Sequence, residues 1–374
     1  MITQMVDLKG QYKKIKKAVN VSIQETLDGT AFIKGPKVAT FQANLEAYLG
    51  VKHVIPCANG TDALQIAFMA LRLQPDDEVI VPAFTYVATA EVIALLRLKP
   101  IMVDVDPKTF NITAKIVEKA ITPRTKAIVP VHLFGQSADM EGIMAIAGKH
   151  NLFVIEDNAQ AIGADFTFKN GEKRKTGTIG HIGCTSFFPS KNLGCYGDGG
   201  ALMTNDSELA AKISMIANHG QSRQYYHDLV GVNSRLDALQ AGILDIKLAK
   251  LDSYSAARNR AAKTYTKAFK LIKDLETPIC AKNSNHVFHQ YTLKVKNGKR
   301  AALQAYLTEG GVPSMIYYPV PLYKQPAYAP YWDGKTLPVT EQLCQEVLSL
   351  PMHTELSPQV LKQITDLVEA FFQN

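Results

Sequence analysis

The chain of 374 residues is 47% hydrophobic and 20% charged, which excludes general disorder because burying this apolar content can offset the entropy of ordering. Its formal net charge is +7, from dispersed basic residues that suit an anionic small molecule and match no nucleic-acid-binding motif. No apolar run reaches the roughly 18 residues that span a bilayer, and residues 1–17 lack a signal peptide's apolar segment. We therefore expect a cytoplasmic protein with no membrane partner.

The cysteines do not have the spacing of a metal site or of a disulfide framework. They are Cys57, Cys184, Cys195, Cys280 and Cys344. Their number is odd and no two form a CxxC pair, so we predict no zinc centre or other bound metal. Free thiols fit the reducing compartment already expected.

Short apolar strands alternate with helices through the first two thirds of the chain, after an N-terminal helical arm. The predicted strands are His53–Cys57, Glu78–Val81, Ile101–Val105, Ala127–His132, Leu152–Glu156, Cys184–Phe188 and Ala201–Thr204. Continuous apolar strands separated by helices are typical of an α/β fold with a mostly parallel sheet covered on both faces. We assign residues 1–245 to this large lobe.

The pattern changes near residue 235, where two long helices follow one another. Beyond them the sequence predicts a strand at Gln290–Val295, a helix at Arg300–Glu309 and a terminal helix that begins at Ser357. This mixture predicts a smaller α+β lobe over residues 246–374.

Lys191 stands in a loop, after an apolar strand and before the glycine-rich run Gly197-Asp198-Gly199-Gly200. A lysine at a strand end can form a Schiff base with an aldehyde cofactor, provided that burial lowers its pKa. Most loop lysines are simply exposed, so Lys191 alone indicates little.

A carboxylate ends the apolar strand Val154-Ile155-Glu156-Asp157. In an open parallel sheet the carboxyl ends of the strands face the ligand crevice. A buried carboxylate there can keep a pyridinium nitrogen protonated, which makes pyridoxal 5'-phosphate (PLP) an electron sink. The other interpretation of Asp157 is a helix N-cap.

The segment Ala58-Asn59-Gly60-Thr61 joins a strand to a helix. Gly60 permits a close backbone approach, Thr61 offers a hydroxyl, and the helix N-terminus supplies free N–H groups, which together suit a phosphate. An ordinary capped turn would look similar. The phosphate turn, Asp157 and Lys191 nevertheless follow one another in the order that a PLP enzyme of fold type I requires.

These motifs resemble the DegT family of sugar-nucleotide aminotransferases over nearly the whole chain. Segment 189–194 with segment 197–200 resembles members that aminate C3 of a keto-hexose. Segments 57–65, 84–91, 231–237 and 349–353 resemble the subgroup that aminates UDP-linked 2-acetamido-3-keto-glucuronic acid for bacterial surface polysaccharides such as O-antigen. The resemblance implies fold type I, with a mixed, mostly parallel seven-stranded sheet between helices, PLP as cofactor and L-glutamate as amino donor.

The resemblance also implies roles for individual residues. Lys191 is the catalytic residue, linked to PLP as a Schiff base. The other implied PLP contacts are Asp157 to the pyridine nitrogen, Gln160 to the phenolic oxygen, Tyr86 stacked on the ring, and Gly60, Thr61 and Ser186 to the phosphate. Asn233 is expected to reach that phosphate from the neighbouring subunit of a homodimer with shared active sites.

The substrate residues are expected to be Arg235, Tyr317 and Tyr318. Arg235 lies near the same junction as Asn233, where its guanidinium could bind a sugar carboxylate in bidentate fashion. Tyr317 stands where the family commonly has histidine before Tyr-Pro, and phenols could equally line a pocket for a neutral sugar. An aminotransferase for a dTDP-linked 3-keto-6-deoxyhexose or another keto-sugar therefore stays open, as does a non-catalytic PLP-binding regulator. A sugar dehydratase is disfavoured, because such relatives have histidine in place of Lys191.

Overall fold

The computed structural model describes residues 3–373 of the chain. The α-helices are α1 (Leu8–Gly29), α2 (Gly35–Leu49), α3 (Gly60–Leu71), α4 (Ala88–Leu95), α5 (Ala114–Ala120), α6 (Met140–His150), α7 (Ser207–Ile216), α8 (Ala238–Leu248), α9 (Leu251–Phe269), α10 (Arg300–Glu309), α11 (Pro338–Glu346) and α12 (Pro358–Gln373). The strands are β1 (His53–Cys57), β2 (Glu78–Pro82), β3 (Lys99–Val103), β4 (Thr125–Ile128), β5 (Phe153–Asp157), β6 (Asp165–Thr167), β7 (Lys173–Lys175), β8 (Ile182–Ser186), β9 (Gly200–Thr204), β10 (Gln221–Arg223), β11 (Tyr226–His227), β12 (Leu275–Glu276), β13 (Tyr291–Val295) and β14 (Val347–Leu350).

The main sheet has seven strands in the order β1-β9-β8-β5-β4-β2-β3. Strand β9 runs antiparallel to β1 and to β8, and the remaining pairs are parallel. Since β9 alone is reversed, the carboxyl ends of the other six strands lie at one edge. The predicted mixed, mostly parallel seven-stranded sheet is confirmed.

Helices cover both faces of this sheet. In β2, Val79 and Val81 belong to one buried apolar cluster and Ile80 to another, because alternate residues of a strand point to opposite faces. Ile66 of α3 packs in the first cluster and Ile143 of α6 in the second. The sandwich of helices around the sheet is therefore as expected.

The C-terminal part has its own antiparallel sheet, in the order β12-β13-β14. Its core joins α9, α10 and α12 through fully buried side chains such as Tyr265, Leu303 and Ile364. This is the α+β arrangement that the sequence predicts. The division of the chain at residue 245 stays a prediction, and residue 245 itself lies within α8, which continues to Leu248.

Residues 3–373 show neither a membrane-spanning helix nor a metal-binding cluster. No helix in that range is long and apolar enough to cross a membrane. The same residues contain no cluster of three or more His, Cys, Asp or Glu side chains that could hold a metal ion.

Candidate active site

The predicted cofactor residues lie at the carboxyl edge of the main sheet. Strand β5 ends at Asp157, the neighbouring β8 ends at Ser186, and β1 leads into the turn at Gly60. These three strands run in the same direction, so their ends meet at one edge. Residues more than a hundred positions apart in sequence are thereby brought together.

The turn before α3 is shaped to hold an anion. Asn59 caps the helix, its Oδ1 accepting the N–H of Asp62 at 2.8 Å, while the N–H groups of Gly60 and Thr61 have no acceptor within the helix. A Cβ at Gly60 would lie 2.6 Å from Cβ of Ser186, so only glycine lets the turn approach the end of β8. Free N–H groups and two hydroxyls, of Thr61 and Ser186, fit a phosphate.

Asp157 is held in place by two hydrogen bonds. Its Oδ2 accepts the hydroxyl proton of Thr89 at 2.7 Å, and its Oδ1 accepts the N–H of Ala159 at 3.2 Å. The carboxylate is only 7% exposed. No helix follows β5 before β6, which excludes the N-cap interpretation.

The carboxylate of Glu156, next to Asp157, ties the end of β5 to the segment before β8. Glu156 is fully buried, and its two oxygens accept the N–H groups of Gly177, Ile179 and Gly180 at 2.6–2.8 Å. His132 Nε2 lies 2.8 Å from Oε2 of Glu156. His132 Nδ1 accepts the N–H of Ala138, so the ring donates to Glu156 through Nε2. This pair fixes the strand end that carries Asp157.

Lys191 is half-buried, and burial lowers its pKa to about 8 although the nearby charge of Asp157 opposes that shift. The backbone N–H of Lys191 donates to the carbonyl of Phe188 at 2.8 Å, which fixes the turn that carries Lys191. A lysine with this pKa is neutral in about a tenth of the molecules at pH 7, far more than a lysine with the usual pKa of about 10.4, and the neutral amine is the nucleophile. The condition set by the sequence, a pKa lowered by burial, is met.

Gln160, Tyr86 and Tyr318 come together beside Asp157. Gln160 Oε1 accepts the N–H of Phe134 at 2.8 Å, and its Nε2 donates to Tyr318 Oη at 3.1 Å, so the amide orientation is fixed. One proton of that amide remains for a ligand. The rings of Tyr86 and Tyr318 are 6.4 Å apart, and Tyr86 is 57% exposed, so its face is available for stacking.

Tyr317 lies against Tyr318, with ring centroids 6.0 Å apart. Burial raises the pKa of both phenols, so both keep their protons at neutral pH. The structure therefore places Tyr318 next to the predicted cofactor residues Gln160 and Tyr86, with Tyr317 packed behind it, and both phenols carry protons.

Asn233 and Arg235 are placed differently. Asn233 is exposed, and Arg235 lines a cavity of about 230 Å³ together with Lys34. The lining of this cavity does not include Lys191, Asp157 or the phosphate turn. Within residues 3–373 no hydrogen bond joins the side chain of Asn233 or Arg235 to Lys191, although the hydroxyl of Ser234 between them accepts the N–H of Ala58 at 3.0 Å.

The residues at the sheet edge fit PLP. They provide an N–H cradle that a Cβ at position 60 would fill, a buried carboxylate, an amine of lowered pKa and an exposed aromatic face. The sequence interpretation missed Thr89, although it lies in segment 84–91, and also Glu156. Nothing local marks either residue, since their partners are separated from them in sequence by 20 residues or more.

Comparison with known proteins adds independent findings. The DegT/DnrJ/EryC1/StrS aminotransferase family model matches residues 13–369. The chain is 49% identical to UDP-2-acetamido-2-deoxy-3-oxo-D-glucuronate aminotransferase of Pseudomonas aeruginosa, over 96% of this chain and 98% of that protein. It is 44% identical to UDP-N-acetyl-3-dehydro-alpha-D-glucosamine 3-aminotransferase of Acidithiobacillus ferrooxidans, over 97% and 96%. A pleiotropic regulatory protein of Geobacillus stearothermophilus is 46% identical over the full length of both.

Solved structures agree with this. A DegT DnrJ EryC1 StrS aminotransferase from Brucella abortus superposes with a TM-score of 0.94 at 42% identity, covering 99% of this chain and 100% of that one. NtdA from Bacillus subtilis, with bound cofactor PMP, has a TM-score of 0.89 at 32% identity and covers 96% and 82%.

Proposed function

This chain belongs to the DegT/DnrJ/EryC1/StrS aminotransferase family, and we propose that it aminates C3 of a UDP-linked 2-acetamido-3-keto sugar, with UDP-2-acetamido-3-keto-glucuronic acid as the preferred substrate. Members are PLP-dependent sugar aminotransferases, so PLP is the cofactor and a nucleotide sugar is the substrate. The relatives at 49% and 44% identity are both named for a UDP-linked sugar with a keto group at C3. These names support UDP as the nucleotide and C3 as the carbon that is aminated. The structural observation that carries the aminotransferase activity is the meeting of Gly60, Asp157 and Lys191 at one sheet edge, while the identity of the sugar nucleotide rests on the relatives.

In the proposed mechanism, the bound cofactor supplies the electron sink for the negative charge that develops when a proton leaves carbon. The N–H groups of Gly60 and Thr61 and the hydroxyl of Ser186 would hold the phosphate. Asp157, oriented by Thr89, would keep the ring nitrogen protonated. Gln160 would donate to the phenolic oxygen, and the exposed ring of Tyr86 would stack on the cofactor and exclude water from it.

Lys191 moves the proton in both half reactions. Its lowered pKa lets the same amine accept a proton at one carbon and return it at another near neutral pH. A positioned acid–base group of this kind contributes on the order of 10²–10⁴-fold in rate. L-Glutamate is the proposed amino donor, and the aminated sugar would enter synthesis of a bacterial surface polysaccharide such as O-antigen.

We further propose that the enzyme is a homodimer in which Asn233 and Arg235 serve the partner's site. The exposed apolar side chains Phe32 and Ile33 support this, because they pair with residues 237 and 238 and so lie beside Arg235. A second copy on this face would cover them and bring the cavity lined by Lys34 and Arg235 to the partner's sheet edge. The free thiols support a reducing, cytoplasmic location.

A non-catalytic regulator is the second candidate, because one relative at 46% identity has a regulatory name. It would not need an amine of lowered pKa beside a buried carboxylate. Conversion of a keto-sugar nucleotide by the purified protein, with loss of amino donor, would exclude it.

The test of the substrate compares three keto-sugar nucleotides by kcat/KM. These are the UDP-linked 3-keto-uronate, its counterpart with a neutral C6, and a dTDP-linked 3-keto-6-deoxyhexose. We expect the uronate to be preferred about ten-fold or more, the effect of one charge-assisted hydrogen-bonded pair. Arg235→Ala should remove that preference, while Lys34→Ala, on the same cavity, should retain most of it. A preference for either neutral sugar would overturn the uronate assignment and leave the aminotransferase assignment in place.

A further inference from the structure

A second lysine is buried under the loop that follows Lys191. Lys247, on α8, is 1% exposed, and its Nζ donates to the carbonyl of Gly194 at 2.6 Å. The same Nζ lies 4.3 Å from the ring centroid of Tyr196. Within residues 3–373 no carboxylate forms an ion pair with it, and burial lowers its pKa to about 8.

Burial of an ammonium group without a carboxylate partner costs stability. One carbonyl and one aromatic face replace only part of its hydration. An apolar side chain of similar length would fill the same space without that cost. The position of Lys247 therefore calls for an explanation other than core packing.

The loop held by Lys247 folds back on the turn that carries Lys191. A Cβ at Gly194 would lie 2.4 Å from the carbonyl oxygen of Pro189 and 2.8 Å from that of Phe188. That same Phe188 carbonyl accepts the N–H of Lys191 at 2.8 Å. A displacement of Gly194 would therefore pass directly to the turn at Lys191.

A second side chain of α8 grips the same loop. Gln240 accepts the N–H of Tyr196 at 2.8 Å and donates to its carbonyl at 3.2 Å. Gln240 and Lys247 are seven residues apart, about two helical turns, so they lie on one face of α8. The loop is thus fastened to the helix at two adjacent points.

We propose that Lys247 is a positioning residue, which fixes the carbonyl of Gly194 and thereby holds the amine of Lys191 toward Asp157. Lys247 does not react with the cofactor, because its own amine is enclosed against Gly194 and Tyr196. The proposal rests on the proposed role of Lys191 as the residue that captures PLP.

The test has two measurements. The rate at which the apoprotein captures PLP is followed by the visible absorbance of the lysine-linked cofactor, and the melting temperature is measured by thermal unfolding. Lys247→Met should capture PLP about ten-fold more slowly or worse, because small misplacements of a reacting group are costly. Its melting temperature should stay equal or rise, since a buried unpaired charge is removed. With saturating substrates kcat should fall and KM should stay nearly constant.

The matched control is Lys250→Met, which changes an exposed lysine three residues further on. It should alter neither the rate of PLP capture nor the melting temperature. Capture by Lys247→Met at the wild-type rate would overturn the proposal, and so would slowed capture that merely parallels a lower melting temperature. If Lys247→Met does not fold, Lys247→Gln replaces it, with the same slowed capture expected and the same results overturning the proposal.

Borohydride reduction and peptide mass analysis separate this proposal from the proposed function. PLP should be attached at Lys191 in the wild type and in Lys247→Met, and Lys247 should stay unlabelled. Attachment at another lysine in the wild type would refute the role of Lys191. Attachment at Lys191 with unchanged kinetics in Lys247→Met would refute only the positioning role.

Discussion

The sheet edge around Lys191 and the segment 233–235 differ in how complete they are within one chain. At the sheet edge, Gly60, Asp157 and Lys191 have their supporting contacts from the same chain. Segment 233–235 instead presents an exposed Asn233 and a cavity-lining Arg235, and within residues 3–373 neither side chain hydrogen-bonds to Gly60, Asp157 or Lys191. This difference supports the proposal that Gly60, Asp157 and Lys191 hold the cofactor within one chain, whereas Asn233 and Arg235 complete the site of the partner subunit.

Removing Lys191 should break the sheet-edge site completely. We expect Lys191→Ala to lose turnover to background and to lose all covalently attached PLP after borohydride reduction. Its affinity for the cofactor phosphate should persist, because Gly60, Thr61 and Ser186 are unchanged. Arg at this position should not restore turnover, because a guanidinium stays protonated. Normal turnover by the alanine variant would refute the assignment.

Asp157 should have the next largest effect. Asp157→Asn keeps the shape and the contact with Thr89 but removes the charge that we propose keeps the ring nitrogen protonated. We expect kcat to fall on the order of 10²-fold, the general cost of removing preorganised charge stabilisation. Thr89→Val should give a smaller loss, about ten-fold, by freeing one carboxylate oxygen. A loss below about three-fold in Asp157→Asn would mean that the carboxylate is only structural.

The sequence predicted those parts of the site that are local motifs at strand ends. Gly60, Asp157 and Lys191 each lie at or shortly after the end of an apolar strand. Because β1, β5 and β8 run in the same direction, these strand ends meet at one edge of the sheet. The sequence pattern also predicted β13 and α10, whose bounds in the structure lie within one residue of the predicted ones.

What the sequence did not reveal are contacts between distant segments. Thr89 meets Asp157 across 68 positions, and Lys247 meets Gly194 across 53. A threonine or lysine within a helix carries no local sign of such a partner. The division at residue 245 has the same difficulty, because α8 reads as one uninterrupted helical pattern whether it serves one lobe or joins two.

Dimers formed from two different variants test whether Asn233 serves the site of the partner subunit. Lys191→Ala and Asn233→Ala proteins, each expected to be impaired alone, are mixed by refolding or coexpression. If Asn233 serves the partner's site, each heterodimer contains one site with both residues intact. Random mixing then restores activity to about a quarter of the wild-type level, since half of the dimers are mixed and one of their two sites works. No recovery would place Asn233 in its own chain's site or outside any site.

The smallest expected effect is a shift in the pH dependence of PLP capture by the apoprotein. Only the neutral amine of Lys191 reacts, so the rate should rise about ten-fold per pH unit and level off near pH 8, where its pKa lies. An ordinary lysine would continue to accelerate toward its usual pKa of about 10.4. Rates are normalised to capture by a free amine at the same pH, which removes the cofactor's own titration.

The Asp157→Asn variant tests the electrostatic link behind that curve. The charge of Asp157 stabilises the ammonium form of Lys191 and raises its pKa, so its removal should move the midpoint to lower pH. Lys250→Met is the control, because it should leave both the capture rate and the midpoint unchanged, Lys250 not being among the charges that shift the pKa of Lys191. A midpoint that moves upward in Asp157→Asn, or a wild-type rate still rising beyond pH 10, would contradict the proximity of amine and carboxylate on which the proposed mechanism depends.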